Sequence, residues 1–374
     1  MKTNGVVFYI LVIIASVAFL FIGNRIASTT FEDTGYAFEM DFYNGVVIEI
    51  IERVEDEGWG PGTASTNIIF DVQISRGERR GEVVSVQQQI SEFFLVNERE
   101  VSLRDRIIIV YDGWNSIYYF AYFNRINYVM VLGAVFFALI LLFGRKKGFN
   151  SLISLGFTVI AVFWVFVPAI LSGRNIYLTT VVICIYAIVS TLLIVIGPGK
   201  KAVSAMLGCL GGIFAAGSLM LLMDRILQLT GGGDRDTEVL LLLPTETPIS
   251  LRAIVFAGVI LGAVGAIMDV AMSIASSLWE VKEAGGEYDF NSLFKSGVTI
   301  GKDILGTMLN TLILAYIGSS LSLILLITVN THSLAALFNM EMIIVEFLRA
   351  LIGSFGMLLT IPLTSAICGW LYDE

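Results

Sequence analysis

The sequence is short of the residues that build soluble catalytic centres. It holds one histidine, His332, in 374 residues. That nearly excludes a histidine-based metal centre or a Ser-His-Asp triad. Its three cysteines, Cys184, Cys209 and Cys368, each fall inside an apolar run. They read as small packing residues and imply no disulfide framework. Charge is scarce as well, at 15% of residues, against about 25% in soluble globular chains. With 56% hydrophobic residues and a mean hydropathy of +0.82, the composition is that of a polytopic membrane protein.

The little charge there is lies unevenly. Residues 25–126 hold 17 acidic and 9 basic residues, which accounts for −8 of the formal net charge of −9. The acidity belongs to one soluble segment and argues against nucleic acid as a partner. A helix needs about 20 apolar residues to cross a bilayer. Eight stretches qualify, at 5–23, 127–144, 152–172, 176–196, 203–229, 252–279, 303–327 and 343–371. The first lacks a clear small-residue cleavage site and reads as an uncleaved anchor.

Lysine orients these spans. With eight crossings and the N-terminus inside, Lys2, Lys146, Lys147, Lys200, Lys201, Lys282, Lys295 and Lys302 all fall on the cytoplasmic side. That is the positive-inside pattern. Both termini are then cytoplasmic and residues 25–126 are extracytoplasmic. This predicts an anchor over 1–24, an outer domain over 25–126 and a helical membrane domain over 127–374. Within the outer domain NGVVIEIIERV, TNIIFDVQIS, GEVVSVQQQI and RDRIIIVYDG alternate as strands do. RGERRGE between two of them reads as a hairpin loop. Four to six strands in about 70 residues suit a small barrel of OB-like type. Such a domain either binds a protein or small-molecule partner or merely caps the membrane part. Trp59 and Pro61 mark a loop in it.

The expected fold is thus an α-helical polytopic membrane protein of about eight spans, with a small β-rich extracytoplasmic domain. Its chemistry should sit in the sixth and seventh spans. Asp269 lies mid-span, where a charged side chain costs roughly 2.5–3.5 kcal/mol. Gly262, Gly265, Asp269, Ser273 and Ser276 share one helix face by their spacing. Asp303, Thr307, Asn310, Thr311, Leu314 and Gly318 share another. Buried polar groups seek partners in lipid, so the two faces are expected to meet with Asp269 between them. Asp303 also has the reading of a helix-terminal carboxylate near the cytoplasmic boundary. Glu346 and Arg349, three apart on the last span, can pair as an ion pair. A short amphipathic segment at 288–300 is expected to lie flat on the cytoplasmic surface. GPGKK at 197–201 is too short for a phosphate-binding loop. No cofactor or resident metal is expected, and no soluble catalytic constellation.

Three blocks carry a resemblance: GAVGAIMDVAMSIASSLWEV, SGVTIGKDILGTMLNTLILAYIGSSLSLILL and EFLRALIGSFGMLLTIPLTSAICGWL. They resemble the YibE/F-like family of multipass bacterial membrane proteins, over roughly residues 127–372. The resemblance implies the bacterial cytoplasmic membrane and says little of activity. A more distant likeness is to one half of the RND superfamily, including SecD and SecF. It would make Asp269 the coupling carboxylate, but this chain has two more spans than an RND half and a smaller outer domain.

Three readings follow. The first is an ion- or proton-coupled transporter or export helper, with Asp269, Asp303, Thr307, Asn310 and Ser273 at the coupling site. The second is a non-catalytic scaffold or assembly factor in which these groups act as helix glue. The third, an intramembrane enzyme with an Asp269–Asp303 dyad, lacks the YD and GxGD motifs of aspartic intramembrane proteases, so no enzyme is expected. Beyond the lipid bilayer, a homo-oligomer or pairing with a related membrane protein is compatible with the sequence.

Overall fold

The computed structural model describes residues 2–28, 41–56, 65–91, 99–113, 117–232, 240–242, 248–285, 288–330 and 333–372. Trp59, Pro61 and His332 lie outside these. The chain divides into two compact units, Met1–Glu32 with Leu141–Glu374, and Asp33–Ile140.

The second unit contains a closed five-stranded barrel in the order β1–β2–β3–β5–β4. Its strands are β1 (Asp41–Asp56), β2 (Ser65–Ile74), β3 (Val83–Ser91), β4 (Arg106–Asp112) and β5 (Ile117–Phe123). The first four match the alternating runs seen in the sequence, and β5, IYYFAYF, adds a fifth. Closure depends on β1, which pairs antiparallel with both β2 and β4. Gly45 faces both neighbours, opposite Ile74 and Ile107, and a Cβ there would strike the Val72 side chain. Two irregularities in the β1–β2 register, at Val47/Glu49 and Ile50/Glu52, bend the long strand as bulges do. The β2–β3 loop places Gly77 and Gly81 at φ of 94° and 90°, a region glycine enters without Cβ strain.

Val47, Ile68, Phe70, Val72, Val86, Ile107 and Ile109 fill the barrel. Gln88 is buried among them. Its amide donates to the Arg99 carbonyl (3.0 Å) and accepts from Val101 N–H (3.1 Å), so it holds the 99–101 segment to the wall.

Among the described residues, seven helices are long and apolar enough to cross a membrane. They are α1 (Lys2–Ala27), the run from α2 (Ile126–Ala161) through α3 (Val167–Leu171), α4 (Ile176–Val195), α5 (Lys200–Leu227), α6 (Leu251–Glu283), α7 (Phe290–Ser319) and, after the shorter α8 (Leu321–Asn330) and α9 (Leu334–Leu337), α10 (Glu341–Tyr372). The run through α2 and α3 covers 46 residues, about 69 Å if straight. That is twice the hydrocarbon thickness. It breaks at Arg145, whose φ of 47° and ψ of −126° are not helical. Arg145, Lys146 and Lys147 form the charged cluster between the two apolar stretches.

The short amphipathic segment expected at 288–300 is not separate. It forms the first turns of α7, which runs unbroken from Phe290. No proline stands between the two stretches, and Asp289 caps the joint helix by accepting from Ser292 N–H at 3.2 Å. The hydrogen bonds from Ser292 hold the Asp289 carboxyl below its ordinary range. Their support of the cap is present at neutral pH and is lost as pH falls through that depressed value.

The core is organised around α10, which packs on α5, α6 and α7. Glycines make the approach close. A Cβ at Gly208 or Gly212 of α5 would strike Thr364 or Thr360, and one at Gly297 or Gly301 of α7 would strike Ser365 or Ile361. Both pairs are spaced by four, the small-xxx-small pattern of membrane helix contacts. The polar side chains in these contacts are mostly satisfied locally: Thr360 and Ser365 donate to the Gly356 and Ile361 carbonyls, each at 2.7 Å. At the far ends, Glu341 accepts from Thr230 N–H, Gly231 N–H and the Thr230 hydroxyl at 2.6–2.7 Å, and Lys282 donates to the Tyr372 carbonyl.

One interaction repairs a backbone defect. Pro168, in the first turn of α3 after a π-helical turn at Val162–Phe166, has no N–H to give to the Trp164 carbonyl. With its amide oriented by its surroundings, Asn24 of α1 donates to Trp164 O at 2.7 Å and accepts from Trp164 Nε1 at 2.9 Å. Asn24→Leu should therefore destabilise the protein by about 1–3 kcal/mol, read as a lower melting midpoint in detergent. Adding Pro168→Ala supplies the missing donor and should recover part of the loss. If Pro168→Ala has the same effect with and without Asn24, the capping account is wrong.

Candidate functional site

The inward face of α6 is apolar: Val259, Ile260, Ala263, Ile267, Val270, Ala271 and Ile274 are buried. The opposite stripe carries Gly258, Gly262, Gly265 and Asp269, all exposed, and the half-buried Ser273. The surroundings of this stripe change along its length. At Gly258 the nearest neighbour of a Cβ would be the Arg349 guanidinium, at 3.9 Å. At Gly262 it would be the Tyr316 hydroxyl of α7, at 3.0 Å. At Gly265 nothing lies within 4 Å. Asp269 follows one turn later. Among the described residues it has no hydrogen bond or ion pair.

Arg349 and Glu346 of α10 form the expected pair, Nη1 to Oε1 at 2.6 Å. They are not free surface charges, since their side chains are only 31% and 23% exposed. The second carboxylate oxygen of Glu346 and the Tyr316 hydroxyl are both enclosed and, among the described residues, have no hydrogen-bond partner. Gly353 of α10 keeps room for this group: a Cβ there would lie 3.3 Å from Leu312 and 3.8 Å from the Tyr316 hydroxyl. Tyr316, Glu346 and Arg349 thus make a polar cluster at one end of the stripe. Gly258, which meets Arg349, lies about 16 Å along the axis from Asp269 at 1.5 Å per residue. The cluster and the carboxylate are separate features, and Arg349 is partnered by Glu346.

The expected meeting of the two polar faces does not occur. α7 packs through Gly297, Gly301, Met308, Leu312 and Tyr316. Asp303, Thr307, Asn310, Thr311 and Leu314 lie on its other side and are exposed. Thr307 and Thr311 return their hydroxyls to the Ile304 and Thr307 carbonyls, each at 3.0 Å. The structure therefore groups Asp303, Thr307 and Asn310 with one another, and Asp269 with Ser273, but does not join the groups. The reason is steric. Gly297 and Gly301 present a closer-fitting surface to α10 than the Thr–Asn face can, so the glycine face turns inward. Tyr316 is the residue the sequence reading missed. Its only signal was its place in an apolar run six residues beyond Asn310.

Comparison with known families decides the chain's kinship. A family model described as YibE/F-like protein matches residues 132–374. The chain belongs to the YibE/F-like family. The match covers every helix named in the site. No curated protein and no solved structure matches the chain, and nothing extends the likeness to the RND superfamily.

The cluster makes a direct prediction. Arg349→Met leaves the Glu346 carboxylate half-buried and unpaired, and should cost about 1–3 kcal/mol of stability. Glu346→Leu added to it should restore much of that. If the two substitutions are simply additive in a thermal-shift double-mutant cycle, the pair contributes nothing to the fold.

Proposed function

We propose that this YibE/F-like membrane protein is an ion- or proton-coupled transporter or export helper of the bacterial cytoplasmic membrane, with Asp269 as its coupling group and Ser273 beside it. The supporting observation is the setting of Asp269. It stands mid-helix on a largely apolar span, beside open space at Gly265, and among the described residues it bonds no other helix. A carboxyl group at such a depth has to hold a proton, a cation or a donor from another molecule. Holding and releasing the first two is what coupling requires. In this reading both termini are cytoplasmic, the run through α2 and α3 crosses twice, and the barrel, of OB-like type, stands outside as a platform for a partner. No covalent chemistry is assigned to it.

The second reading is a membrane scaffold. It is favoured by the exposed polar face of α7, which suits association with another membrane helix. Asp269 separates the two. A proton or ion site tolerates Glu and fails with Asn, whereas glue tolerates Asn because an amide still bonds across helices.

Two measurements test the proposal without knowledge of a substrate. A hydrophobic carbodiimide reacts with a protonated carboxyl group in the bilayer. It should modify Asp269 in native membranes, with labelling that falls as pH rises, while a water-soluble carbodiimide should not. Mass spectrometry showing Asp269 unmodified at every pH would remove it as a coupling group. Cysteines placed singly at 78 and at 147 test the sidedness: an impermeant maleimide added to intact cells should label the first and spare the second. Labelling at 147 would overturn the orientation.

A further inference from the structure

We propose that the outward face of α7 is a self-association surface, and that its occupant is the same face of a second copy of this chain. The proposal is independent of the role given to Asp269. It starts from a spacing. Asp303, Thr307, Asn310, Leu314 and Ile317 follow one another at intervals of four, three, four and three. That is a heptad seam. All five are exposed, including Leu314 at 58% and Ile317 at 45%. The seam lies opposite the face that packs on α10, and none of the described residues of this chain covers it.

Lipid is a poor cover for it. α7 is among the helices long and apolar enough to cross a membrane, and Asn310 sits near the middle of its apolar part. Thr307 and Thr311 satisfy their own hydroxyls. Asn310 has no hydrogen bond among the described residues. Its amide offers two donors and an acceptor, and hydrocarbon answers none of them. A protein must therefore lie against this face.

The seam also selects the occupant. Copies in one membrane share one orientation, so a two-fold axis along the bilayer normal brings like residues together at like depth. Asn310 then meets Asn310, and an amide is its own complement: the carbonyl of one accepts from the NH2 of the other. A single Asn at a seam position is a device that fixes register and a two-stranded state. Gly306 and Gly318 flank the seam with nothing within 4 Å of their Cβ positions, which lets a second helix come close. Lys302 is exposed beside Asp303 at the cytoplasmic end, so each copy carries both charges of a pair that can cross the axis. The 3.5-residue repeat predicts a left-handed crossing.

The test uses full-length protein in native membranes. Cys184, Cys209 and Cys368 are free and buried and are first replaced by Ala. Single cysteines then go to 307, 314 and 317 on the seam and to 308 and 312 on the packed face. Oxidation should give a disulfide-linked dimer of twice the chain mass from seam positions and none from 308 or 312. No crosslink at any seam position, equal yields on both faces, or a product of another mass would each overturn the proposal, the last in favour of a different partner. In parallel, fluorescence energy transfer between labelled copies in bilayers, followed on lipid dilution, reads the dissociation constant. Asn310→Leu should raise it roughly three- to thirty-fold, the span of one interhelical hydrogen bond in membranes, and Asn310→Gln should raise it less. An unchanged constant for Asn310→Leu would overturn the role of the amide.

Discussion

The approach of α10 to the glycines of α5 and α7 is the constraint on which the rest of the helical unit depends. Lipid tails are as apolar as leucine, so helices in a bilayer gain little from hiding apolar surface against one another. They must gain instead from close contact. Gly208 and Gly212 admit Thr364 and Thr360, while Gly297 and Gly301 admit Ser365 and Ile361. Once α10 is seated in this way, Ile267 of α6 packs against Gly356, and the buried face of α6 is fixed. The stripe from Gly258 to Asp269 has to point away from that core. The position of the carboxylate is thus a consequence of packing elsewhere.

The same arrangement distinguishes two kinds of polar group in the helices. Thr360, Ser365 and Thr180 are buried, yet each donates to a carbonyl one turn earlier. They serve packing and ask nothing of a neighbour. Asp269 and Asn310 are exposed and have no such internal partner. Asn24 is an intermediate case, since its partner is the Trp164 carbonyl that Pro168 leaves without a donor. Sorting polar residues by what already satisfies them, rather than by depth alone, separates structural groups from candidates for function.

Much of this was legible in the sequence. The apolar spans, the alternating strands and the Glu346–Arg349 spacing each rest on local periodicity, and local periodicity survives folding. The spacing that put Gly262, Gly265, Asp269 and Ser273 on one face was also sound. What the sequence could not tell was which face of α7 turns inward. Both of its faces carry small residues, Gly297 and Gly301 on one and Gly306 with two threonines on the other. The choice is made by the shape of α10, a non-local fact. Tyr316 was hidden for a related reason: a tyrosine in an apolar run reads as packing until Gly262 and Gly353 are seen to make room for its hydroxyl.

The central claim is that Asp269 is a carboxyl group able to take up and release a proton or an ion while standing outside the packed core. The most direct measurement is a pH-difference infrared spectrum of the full-length protein in lipid, compared with that of Asp269→Asn. The account predicts a carboxyl C=O band that titrates in the native protein and disappears in the variant, with the amide bands of the helices unchanged. Identical difference spectra for the two proteins would show that Asp269 does not titrate, and would contradict the claim.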